Sequence, residues 1–137
     1  MVKAITSTLI GAALHDRLIA SLDNPMINYL PEFGGAAYTG VSVKHLLNMT
    51  SGINWTEDYE DSLADVAERY IKPIAERRRG YIAAYLKTLS RIDPPGTRFY
   101  HNIADTFLLS LILSRVTGKT VADYCAGTIW VLLPTEK

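Results

Sequence analysis

The run from Ala4 to Leu14 constrains this chain more than any other segment. It reads Ala4-Ile5-Thr6-Ser7-Thr8-Leu9-Ile10-Gly11-Ala12-Ala13-Leu14 and carries no charge. A bilayer span needs about 20 apolar residues, so the run is too short to be one. It is also a poor signal peptide: one basic residue, Lys3, precedes it, and His15-Asp16-Arg17 follows where small residues should stand. A helix remains, apolar or small on nearly every face, and such a helix belongs inside a larger body. We expect it to run from Lys3 to Leu22, where Asp23-Asn24-Pro25 ends it.

The same helical period recurs along the chain. Pro25 suits the first position of a short helix over Met26 to Leu30. Val41 to Met49 reads as a helix with Ser42 as N-cap, no acidic residue completing a capping box, and Thr50-Ser51-Gly52 as its stop. A polar, acidic stretch from Asn54 to Glu60 precedes helical periodicity over Ser62 to Ile71 and an amphipathic segment over Ile74 to Leu89. Asp93-Pro94-Pro95-Gly96-Thr97 is a turn. Ile103 to Thr117, closed by Gly118, and Val121 to Trp130 complete the helices. Nothing alternates as a strand, so the expected fold class is mainly α, in a single domain over 1–137.

Composition excludes several functions. Lys plus Arg and Asp plus Glu number 14 each, leaving no net field to attract nucleic acid or an anionic membrane. Arg77-Arg78-Arg79 reads as a solvated helix end. His15, His45 and His101 lack metal-ligand spacing, so neither a metal nor another cofactor is expected. Cys125 has no partner for a disulfide and reads as a buried, inert thiol.

Four landmarks stand in order. Lys3-Ala4-Ile5-Thr6-Ser7 opens the chain, and Val43-Lys44-His45-Leu46-Leu47-Asn48-Met49-Thr50-Ser51-Gly52-Ile53 is the most specific of the four. Pro94-Pro95-Gly96-Thr97-Arg98-Phe99-Tyr100-His101-Asn102 follows, then Thr117-Gly118-Lys119-Thr120-Val121-Ala122-Asp123-Tyr124. Together they resemble the superfamily of serine beta-lactamases, penicillin-binding proteins and related esterases, most closely its 6-aminohexanoate-dimer hydrolase and carboxylesterase branch.

That resemblance implies an S-x-x-K serine hydrolase, in which serine and lysine sit on one face of a helix turn. Lys3 matches the lysine, and the serine position falls immediately before Met1. No serine of the chain stands three before a lysine, and no G-x-S-x-G elbow is present. The chain as given is therefore expected to keep the base, lack the nucleophile and be inactive or nearly so. The family's Y-x-N segment matches Tyr100-His101-Asn102 literally, which makes Tyr100 and Asn102 site residues. Holding Ala104-Asp105-Thr106 in register instead puts His101 at the tyrosine position; Tyr100 is the preferred assignment because it keeps the phenol. Lys119-Thr120-Val121 lacks the glycine of the family's K-T-G strand, which would lie past Lys137.

The implied fold is the helical subdomain plus the central S-x-x-K helix of a beta-lactamase-like α/β fold, with the antiparallel sheet largely missing. The implied substrate is a small amide or ester, with no nucleic acid and no membrane as partner. A non-catalytic helical scaffold derived from the same fold is the alternative, and self-association through exposed apolar helix faces would accompany it.

Overall fold

A computed structural model describes residues 2–35, 37–60, 64–78 and 80–132. Six α-helices carry the described residues: α1 (Val2–His15), α2 (Val43–Leu47), α3 (Lys72–Ala75), α4 (Tyr81–Leu86), α5 (Ile103–Thr117) and α6 (Val121–Thr128). One π-helical stretch, Val66–Ile71, leads into α3, and 3-10 turns cover Met26–Asn28, Pro31–Phe33 and Trp130–Leu132. Among the described residues there is no strand; two isolated bridges join Pro25 to Ser42 and Ile53 to Arg91. The mainly helical expectation holds.

Helix α5 is the axis of the fold. Its Ala104, Leu108, Leu109, Ile112 and Leu113 are buried, and α1 and α2 both pack against it. Leu9, Ile10 and Ala13 of α1 and Val43 and Leu46 of α2 supply the facing side chains. Tyr124 and Cys125 of α6 close the far side of α1, so the cysteine is buried as expected. The other face of α1 turns Ala4, Ser7, Thr8 and Gly11 to solvent. No described helix is long and apolar enough to cross a membrane.

Several boundaries differ from the sequence reading for identifiable reasons. The first helix stops at His15, not Leu22. Arg17 turns left-handed (φ 60°), and the amides of Arg17 and Leu18 donate back to Leu14 and Ala13, closing the helix as a Schellman cap without glycine. Because the exposed Arg17 holds a conformation that costs a Cβ-bearing residue energy, Arg17→Gly is expected to raise stability by about 0.5–1 kcal/mol, read from a urea melt.

Helix α2 does have a capping box. Ser42 Oγ accepts from the His45 amide (3.2 Å), and His45 Nδ1 accepts from the Ser42 amide (3.2 Å). An imidazole nitrogen does here what a glutamate oxygen usually does. The long segment expected over Ile74 to Leu89 is broken at Gly80 (φ 76°), and the Ser62 end of the preceding segment lies outside the described residues, as does Arg79. Gly118 (φ 66°) caps α5 as anticipated.

Candidate active site

Two of the landmark segments lie side by side. The Gly96 amide donates to the Thr50 carbonyl (2.8 Å), the Ile92 amide to Gly52 (2.9 Å) and the Tyr100 amide to Met49 (3.0 Å). These bonds strap the 94–102 segment along the end of α2 and deliver residues 100–102 to the first turn of α1, where Lys3 stands.

Lys3 is half-buried, with three polar neighbours around its Nζ: His101 Nε2 at 2.8 Å, the Asn102 carbonyl at 3.1 Å and Met49 Sδ at 3.7 Å. An ammonium has three N–H donors, so with His101 Nε2 unprotonated this set matches its charged form. Burial pushes the Lys3 pKa down, while the Glu57 and Asp105 carboxylates pull it back up. Desolvation of this kind is what brings a lysine toward the neutral state a base requires.

The sequence-derived residues divide here. His101 faces Lys3, whereas Tyr100 borders a neighbouring cavity of about 140 Å³ together with Trp55, Asp93 and Arg98. Asn102 is buried, and its side chain is committed elsewhere. Its Oδ1 accepts from the Asp105 amide (2.7 Å) as the N-cap of α5, and its Nδ2 donates to the Tyr100 carbonyl (3.0 Å) and Asp105 Oδ2 (3.1 Å). Only its backbone carbonyl meets Lys3. Ser51, in the Thr50-Ser51-Gly52 stop, is buried in the turn.

Two carboxylates complete the site, and the sequence reading passed over both. Glu57 sits within the stretch read as a polar loop, yet its side chain is only 2% exposed. It accepts from Trp55 Nε1 (3.2 Å), Tyr59 Oη (2.8 Å) and the Ile103 amide, and its Oε1 lies 3.2 Å from His101 Nδ1. Asp105 is fully buried, and burial lifts its pKa to about 6 against the opposing pulls of Ser51, Asn102 and Lys3. Ser51 Oγ and Asp105 Oδ1 influence each other without reaching hydrogen-bond geometry. The spacing Asn102-x-x-Asp105 is a capping signature that could have drawn attention to Asp105; no local pattern marks Glu57.

A cavity of about 200 Å³ opens beside Lys3, bounded by Ser7, Leu47, Met49 and Thr106. Larger clefts of about 530 and 580 Å³ near Phe107 and Arg91 touch neither Lys3, His101 nor Glu57, so size alone does not mark the chemistry.

Known proteins of one family resemble the chain along nearly its whole length. The beta-lactamase family model matches residues 1–135. The 6-aminohexanoate-dimer hydrolase of Paenarthrobacter ureafaciens is 30% identical over 139 residues, covering 98% of this chain and 35% of that protein. A Bacillus anthracis structure provisionally named a 6-aminohexanoate-dimer hydrolase superposes with a TM-score of 0.77 at 22% identity, over 94% of this chain and 35% of that one. A penicillin-binding protein from Bacillus halodurans gives 0.74 at 27% identity, over 94% and 38%. The chain thus spans about a third of the length of the relatives it matches, and it belongs to the beta-lactamase family.

Proposed function

We propose that this chain supplies the general base and proton-shuttling wall of an S-x-x-K hydrolase that cleaves small amides or esters through an acyl-enzyme. The observation that carries this reading is the 2.8 Å contact between Lys3 Nζ and His101 Nε2, with Lys3 partly withdrawn from water. As a neutral amine, Lys3 takes the proton of a serine hydroxyl while the oxygen attacks the acyl carbon. The proton passes from Lys3 to His101 Nε2 and on to the departing amine or alkoxide, so that acylation leaves both side chains as it found them. His101 does here what the family's phenol does, and Tyr100 borders the neighbouring cavity. The 137 residues alone hold no serine placed three before Lys3, so they are expected to form no acyl-enzyme.

A chimera tests this. These 137 residues replace the matching segment of the Paenarthrobacter hydrolase, with that protein's own serine placed directly before Met1. The chimera is expected to be labelled stoichiometrically at that serine by a fluorophosphonate, and the 137-residue chain not at all. A folded chimera that resists labelling, or labelling of any serine in the isolated chain, overturns the reading.

A further inference from the structure

We propose that Glu57 is a positioning residue that locks the His101 ring with its proton on Nδ1 and its Nε2 lone pair aimed at Lys3. The Glu57–His101 contact is an ion-pair distance rather than an aligned hydrogen bond, and a carboxylate cannot donate, so its charge favours the proton on the ring nitrogen that faces it. In neutral imidazole the other nitrogen is then the acceptor. Nε2 lies 2.8 Å from Lys3 Nζ, and Nδ1 lies 3.2 Å from Glu57 Oε1.

Exposure assigns the parts. The His101 side chain is 56% exposed, within reach of a bound substrate, whereas Glu57 is sealed from it at 2%. A buried carboxylate needs partners, and Glu57 is held rigidly by the Trp55 indole, the Tyr59 hydroxyl and the Ile103 amide at the start of α5. The other ionisable groups facing the trio are Asp105, which adds negative charge near Lys3, and Tyr70, which senses Glu57. Glu57 thus fixes the ring's direction without touching a substrate, as an orienting carboxylate does in other hydrolytic sites. The part this plays in acylation rests on the function proposed above; the state of the ring does not.

The donor pattern gives a sharp test. Both donors on Glu57 Oε2, the indole and the Ile103 amide, are N–H groups that cannot reverse. In Glu57→Gln the amide oxygen must face them, which turns the new NH₂ toward Tyr59 and His101. The tyrosine hydroxyl can rotate to accept; the imidazole can accept only by moving its proton to Nε2.

Nitrogen-15 spectra of the three histidines in the 137-residue chain read this directly, above the pH at which the rings lose charge, with His101→Ala identifying the signal. The unmodified chain and Lys3→Met are expected to show His101 protonated on Nδ1, and Glu57→Gln in the Lys3→Met background, where no ammonium holds Nε2 as an acceptor, to switch it to Nε2. His45 is the internal standard: its Nδ1 accepts from the Ser42 amide, so it stays protonated on Nε2 in all three. Nε2 protonation of His101 in the unmodified chain or in Lys3→Met overturns the proposal, as does an unswitched ring in a double variant that keeps the His45 signature. If the double variant loses that signature, the other two chains decide by themselves. The measurement requires no catalysis, so an inert chimera with a correctly held ring would count against the hydrolase reading alone.

Discussion

Gly52→Ala is expected to destabilise the chain by about 2–5 kcal/mol in urea denaturation, a large part of what a domain this size has to lose. Gly52 sits at φ +76°, where an L-residue pays about 1–2 kcal/mol. There is also no room: an added Cβ would lie 2.9 Å from the Asp93 carbonyl carbon and closer still to its oxygen. Those are backbone atoms, and they are held in place because the Ile92 and Asp93 amides both donate to the Gly52 carbonyl. Relief would require parting the 49–53 and 91–100 segments, with overpacking adding a further 1–3 kcal/mol or so. The same parting would draw His101 away from Lys3. A stability loss below about 1 kcal/mol would show that the two segments are not clamped together.

The glycine shows how the sequence could be read and where it could not. Thr50-Ser51-Gly52 and Pro94-Pro95-Gly96-Thr97 are each legible as turns from local chemistry, and α5 was legible to the residue because a helical apolar run ends on Gly118; its Asn102 cap was read instead as a site residue. Which turn packs on which is a long-range fact that no local pattern carries. The first helix was overextended because its stop is an arginine in a glycine's conformation. At the site, Lys3 was visible through a motif, and the register of Ala104-Asp105-Thr106 pointed to His101 while the literal Tyr100-x-Asn102 match pointed away. Along an extended segment neighbouring side chains face opposite ways, so a one-residue ambiguity decides whether phenol or imidazole meets the lysine. Glu57 was illegible because a loop carboxylate is normally solvated, and only the fold brings the indole, the Tyr59 hydroxyl and the α5 amide onto it.

Asp105→Asn is expected to stabilise the chain at pH 8 by about 2–3 kcal/mol and to leave it nearly unchanged at pH 4. Burial raises the folded-state pKa of Asp105 to about 6 from its ordinary 3.8. The folded chain therefore holds this proton more tightly than the unfolded one. The resulting contribution to stability is complete below about pH 4 and fades as pH rises through 6, and two pKa units correspond to about 3 kcal/mol. An amide carries no charge to desolvate, so the variant's stability should not fall through this window. It also suits the pocket: its oxygen can keep the bond from Asn102 Nδ2, and its NH₂ can turn toward Ser51 Oγ, which lacks a hydrogen bond. Urea midpoints at the two pH values read the difference. Equal stability of both forms at pH 8 would mean that the Lys3 charge already compensates the buried carboxylate. If the expected gain is found, Asp105 costs the fold stability at neutral pH while holding negative charge near Lys3. Removing that charge should lower the lysine's pKa further, since Asp105 is one of the two carboxylates that raise it. The stabilised variant would then have a more readily neutralised amine, linking a defect in the core to the protonation of Lys3.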